Sequence, residues 1–112
     1  MEKIALTAPI LLALLIIAMM FAYLAYGGTI LHVTRNSPAC ISKADFQRAV
    51  QFMASGDKEA FIDFMTARVQ MGTCTMLMQG QAVYLEDSSW GDVKVRVKGD
   101  TVSYWTFTEA VK

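Results

Sequence analysis

Few residues in this chain are able to do chemistry: two cysteines, Cys40 and Cys74, a single histidine, His32, and ten acidic and ten basic side chains. Nucleophilic catalysis needs a nucleophile within reach of a base that a third group orients, and one histidine outside any periodic segment supplies no such set. Asp87-Ser88-Ser89 has the composition of a turn, and no glycine-rich phosphate-cradling run occurs. Cys40, Cys74 and His32 would offer zinc three donors without compact spacing and without a fourth. Met76-Leu77-Met78 places two thioethers on one strand face with Met71 close in sequence, a soft set that suits Cu(I) in principle, although methionine more often fills gaps in a core. Neither an enzyme nor a bound metal or other cofactor is expected.

The cysteines have a simpler use. An even pair in a small exported domain reads as a disulfide, and a Cys40–Cys74 bond would close a loop that the chain-entropy model values at roughly 4 kcal/mol. That is a large share of the stability of a small domain. It also argues for an oxidising compartment.

Binding chemistry has more candidates. Lys94, Arg96 and Lys98 alternate with Val93, Val95 and Val97, so the three cations share one strand face that could meet headgroups or an acidic partner. Asp92 and Asp100 flank them and weaken their field, and a plain solvated face has the same pattern. Trp90, Tyr84 and Tyr104 either pack in the core or, if Trp105 turns inward with Phe107, form an aromatic groove for an extended peptide. Nucleic acid is not an expected partner, because charge is balanced and no recognition-helix or zinc-finger pattern is present.

These residues must be positioned by an unevenly distributed chain. Ile4 to Tyr26 contains no Asp, Glu, Lys, Arg or His, and as a helix it would reach roughly 34 Å, enough for the roughly 30 Å hydrocarbon layer. Residues 1–28 therefore read as a transmembrane signal anchor contacting membrane lipid through residues 4–26, with Tyr23 and Tyr26 at the exit and Gly27-Gly28 ending the helix. A cleaved signal peptide is the rival, since Ala25 and Gly27 are small, but its apolar region is normally only about 7 to 15 residues. Ala18 and Ala22, four apart, are candidate helix-packing positions, and an oligomer stays open.

Residues 29–39, with Asn36-Ser37-Pro38, read as a juxtamembrane linker, and residues 40–112 as an extracytoplasmic domain. Ser42-Lys43-Ala44-Asp45 has the form of a capping box opening a helix over about 43–55. Phe46, Ala49, Val50 and Met53 form its apolar stripe, and Gly56 stops it. Asp57 caps a second helix over about 58–70, ended at Gly72. From 74 to 107 the period becomes two, giving four short strands. The fold class is α+β: a transmembrane helix, then a helical hairpin packed on a small four-stranded antiparallel sheet or barrel.

The run Cys74…Leu77…Gly80…Val83-Tyr84…Trp90-Gly91-Asp92-Val93-Lys94-Val95-Arg96…Gly99…Tyr104-Trp105-Thr106 resembles small bacterial Src-homology-3-like barrels of exported proteins. The resemblance covers about the last forty residues and implies binding or scaffolding near the cell wall or membrane, with no shared chemistry. With the apolar segment of residues 4–26 and the cysteine pair, which suggest a single pass and a periplasmic domain, it gives the expectation of a bacterial inner-membrane protein whose periplasmic domain docks on an envelope protein or a cell-wall component. The alternatives are an inhibitor of a membrane machine, such as a prophage superinfection-exclusion protein that prevents phage DNA entry, and an accessory subunit packed into a membrane complex through Ala18 and Ala22.

Overall fold

The computed structural model describes residues 9–19 and 29–112. Residues 9–19 form a helix whose side chains are all exposed. Among the described residues no helix is long and apolar enough to cross a membrane, which corrects the expected transmembrane helix. The rest of the 4–26 stretch, with Ala22, Tyr23 and Tyr26, lies outside the described residues.

The sheet has six antiparallel strands: β1 (Ile30–His32), β2 (Ser37–Cys40), β3 (Cys74–Leu77), β4 (Ala82–Ser88), β5 (Asp92–Val97) and β6 (Ser103–Phe107), in the order β1-β4-β5-β6-β2-β3. This corrects the four-stranded, Src-homology-3-like expectation. The two additional strands come from the segment read as a linker. β1 has only three residues, too few to display a period. β2 is buried at all four positions, so it lacks alternation, and Pro38 is a residue that usually argues against an interior strand. The sheet accommodates it because the pairing of β2 with β6 is a single rung, Cys40 with Trp105, and the Pro38 carbonyl accepts a hydrogen bond from the buried Thr106 hydroxyl at 3.0 Å.

The sheet curls until its ends approach. Residues 78–81 join β3, at one edge, directly to β4, the neighbour of β1 at the other, and the β1–β4 pairing continues past His32, where the Val33 amide donates to the Gln81 carbonyl at 2.9 Å and the Val33 carbonyl accepts from the Gly80 amide at 2.8 Å. On the other side of the chain Val33 bridges Val111, and His32 and Lys112 exchange two backbone hydrogen bonds of 3.0 Å. A short 3-10 turn, Thr108–Ala110, brings the chain back from β6 to this position.

Between β2 and β3 the chain leaves the sheet as two helices, α1 (Lys43–Ala54) and α2 (Lys58–Gln70). The Ser42 hydroxyl accepts the Asp45 amide at 3.3 Å and an Asp57 carboxylate oxygen accepts the Ala60 amide at 3.1 Å, so each helix has its side-chain cap. The carboxylate of Asp45 turns sideways to Arg68 of α2, 3.7 Å away. Gly56 (φ 73°) allows the left-handed turn that reverses the chain between the helices.

Two cores result. On the concave face of the sheet Val33, Ala39, Leu77, Val83, Val93, Val95 and Val111 pack together. On the convex face, under the helices, Cys40, Cys74, Phe46, Ala49 and Met65 form the second, extended by Trp105 and Phe107.

Candidate functional site

Cys40 and Cys74 face each other on β2 and β3 as one rung of the ladder and are joined by a disulfide, with S–S 2.07 Å and Cα–Cα 4.0 Å. Both are buried at the base of the helical excursion. The bond therefore fixes the point at which α1 and α2 depart and return.

Of the expected row of cations, Lys94 and Arg96 lie on the convex face of β5, and the structure engages Arg96. Arg96 donates from Nε to Glu86 Oε1 at 2.8 Å and from Nη1 to the Asp100 carbonyl at 2.9 Å, and its guanidinium lies 4.9 Å from the centre of the Tyr84 ring. Ser103 Oγ donates to the other Glu86 oxygen at 2.5 Å. These hydrogen bonds, that of Ser103 first and that of Arg96 second, hold the Glu86 carboxyl below the usual glutamate range. A register shift between Leu85 and Asp87 lets Glu86 reach Arg96 while Asp87 still faces Lys94. Lys94 sits between Asp87 and Trp105 in the ladder. Lys98 lies past the end of β5, exposed in the turn before Gly99. Of the three, Arg96 serves the sheet.

The aromatic residues also separate. Tyr84 pairs with Arg96 on the convex face, whereas Tyr104 pairs with Val95 and packs against the concave core. The two tyrosines lie on opposite faces and line no common groove. Burial, with the Asp100 charge second, pushes the Tyr104 hydroxyl pKa up. Trp105 is half-buried under the helices with Lys43 Nζ 4.8 Å from its ring centre, and Phe107 meets the edge of Phe46 at 5.0 Å. Trp90 is 100% exposed, at the tip of the β4–β5 turn, beside a shallow depression lined by Ser88, Ser89, Gly91 and Thr108. Ala18 is exposed on the helix of residues 9–19. His32 is exposed and engaged through its backbone alone. Met71, Met76 and Met78 are exposed as well.

A feature absent from the sequence reading lies at the far end of the hairpin. Phe52, Met53, Gly56, Lys58 and Phe61 line an apolar cleft of about 360 Å³ between the end of α1 and the start of α2. Met53, expected in the buried stripe of α1, is 46% exposed there. Phe52 leans on Phe64 with ring centres 5.8 Å apart, Arg48 stacks over Phe52 at 4.7 Å, and Arg68 over Phe64 at 5.1 Å. Arginines covering half-buried rings keep these aromatics partly desolvated without closing the cleft. The signal in the sequence was the adjacent pair Phe52-Met53 at the end of a helix, where one apolar stripe cannot bury both, followed by a glycine that leaves room.

Compared with known proteins, the chain matches no family model, no curated protein and no solved structure.

Proposed function

We propose that this protein is an exported docking module, held at a bacterial inner membrane through lipid contact of residues 4–26, which captures an envelope protein with the end of its helical hairpin. The observation that carries the reading is the hairpin cleft: Phe52, Met53 and Phe61 offer apolar contact in a concavity, and Lys58 stands on its rim. A partner segment with an apolar anchor and an acidic residue fits that chemistry, because the anchor displaces water from the rings while the acid meets Lys58. Arg48, stacked on Phe52, adds a second cation at the edge. Of the flanking acids, Asp57 already accepts a backbone amide. The disulfide supports an oxidising location. Confinement to the membrane raises the local concentration of a membrane-held partner, so modest affinity suffices.

A photocrosslinking residue at Met53 tests this in intact cells. One discrete protein adduct, lost when Phe61→Glu and Lys58→Glu are introduced into protein that keeps its native circular dichroism, is the expected result. Crosslinks to cell-wall material alone, or a protein adduct indifferent to both substitutions, would overturn it.

A further inference from the structure

We infer that the free edge of β3 is a second docking site, which takes an extended, uncharged segment of a partner protein as an added antiparallel strand at Met76. It lies apart from the hairpin cleft and does not depend on it. β3 stands at one end of the strand order and pairs with β2 alone. The Ile41 amide donates to the Thr73 carbonyl at 2.9 Å. Backbone groups alternate in direction along a strand, so Thr75 and Leu77 also face β2 while Cys74 and Met76 face away. Cys74 is buried, whereas Met76 is 40% exposed. Among the described residues the Met76 amide and carbonyl have no hydrogen-bond partner, and one residue laid opposite them in an antiparallel strand exchanges both bonds.

The sheet is open at this point and engaged around it. At the other end of the strand order His32 and Lys112 exchange two backbone hydrogen bonds. The next outward residue on the β3 side, Met78, is already occupied: its amide donates to Gln81 Oε1 at 2.8 Å and its carbonyl accepts the Gln81 amide at 3.1 Å. Exposed edges are usually blunted by charge, by proline or by a bulge. No Asp, Glu, Lys, Arg, His or Pro occurs between Arg68 and Glu86, and the β2–β3 register runs without a shift from Ser37 opposite Leu77 to Cys40 opposite Cys74.

The surroundings select the occupant. Met76 shares the convex face with Cys74, and α2 packs over β3 while α1 packs over β2 and β6. On α2, Phe64 and Arg68 turn to α1 and Met65 turns into the core. Ile62 and Val69, both exposed, therefore lie on the flank away from α1, above the free edge. A segment on β3 lays every second side chain against Ile62, Val69 and Met76, where apolar residues fit and a charged one finds no counterion. A second copy of the chain suits the edge less well. Two joined β3 strands lie about 4.8 Å apart, whereas the α2 helices standing over them need about 8–10 Å. A lone extended segment brings no helix.

The test uses the isotope-labelled full chain in detergent micelles and a short, end-capped peptide of alternating valine and threonine. Saturating peptide is expected to slow hydrogen exchange of the Met76 amide about tenfold. The same peptide N-methylated at its valines lacks the donors on that edge and is expected to leave the exchange unchanged. Ile62→Lys, on the helix surface, should weaken binding about tenfold, while Met53→Glu, in the hairpin cleft, should leave it intact. The exchange readouts use the unaltered protein, so they stand even where a variant does not fold. Unchanged exchange at Met76, equal slowing by the N-methylated peptide, unaltered affinity in Ile62→Lys or lost binding in Met53→Glu would each overturn the inference. Met76 exchange that slows with protein concentration alone would put a second copy on the edge and overturn it as well.

Discussion

The two faces of the sheet are stabilised in different ways. The concave face is aliphatic, made mostly of valines from β4, β5 and the bridging residues Val33 and Val111, and it is sealed by the curl of the strands themselves. The convex face is half aromatic, contains the cystine, and depends on two helices that arrive through a single excursion of the chain. In the valine core only the β4–β5–β6 part pairs at short range, and Val33, Ala39, Leu77 and Val111 join it from elsewhere in the chain, whereas the aromatic core is assembled across the one excursion that the cystine ties off. Closing that loop costs entropy, and the disulfide removes much of the cost from the unfolded chain. The difference teaches that the helical hairpin, which carries the cleft, is the part whose integrity is tied to redox state.

The largest effect that would break this comparison is at Phe46, which is fully buried and touches Phe107. Phe46→Ala should cost about 3–5 kcal/mol in denaturant unfolding, with amide exchange rising first in α1 and α2. Uniform acceleration through β4 and β5 would mean that the two cores are one cooperative unit. Replacing both cysteines by alanine should cost about 2–5 kcal/mol, again with exchange rising in the hairpin before the meander. Far-ultraviolet circular dichroism of the reduced protein should lose helical signal first.

A smaller effect sharpens the comparison on the outer surface of the meander. The Glu86 carboxyl is held below its ordinary range in the folded protein, so its contribution to stability is complete above the unfolded value of about 4.3 and is lost as pH falls through the lowered folded value. Glu86→Gln should flatten that part of the Tm-against-pH curve, and an unchanged slope would show that the Ser103 and Arg96 contacts do not persist in solution. Smallest of all, Trp90→Ala should change unfolding free energy by no more than about 0.5 kcal/mol, since Trp90 belongs to neither core.

The legible parts of this fold were those with a local physical signature. Ser42, Asp57, Gly56 and Gly72 marked the helices, and α2 runs over Lys58–Gln70 as the spacing indicated. The Val93/Val95 alternation marked β5, and the disulfide followed from the cysteine count. What escaped were features decided by distant partners. β2 reads as a loop because Pro38 and an unbroken buried run carry no strand signal until β3 and Thr106 are beside it. The cations of β5 looked available because Glu86 reaches Arg96 only across a bulge. Tyr104 could be assigned to a face only after the register with Val95 was known. The cleft was hidden because it belongs to the packing of two helix ends and not to either helix.

From the standpoint of the strands, the excursion that begins after Cys40 and ends before Cys74 leaves and returns across 4.0 Å between Cα atoms. A detour of that kind disturbs the frame no more than a tight bend would. The cystine thus makes the helices a cassette tied off at one rung, whose strand-facing side must still supply the apolar cover that Phe46, Ala49 and Met65 give Trp105 and Phe107.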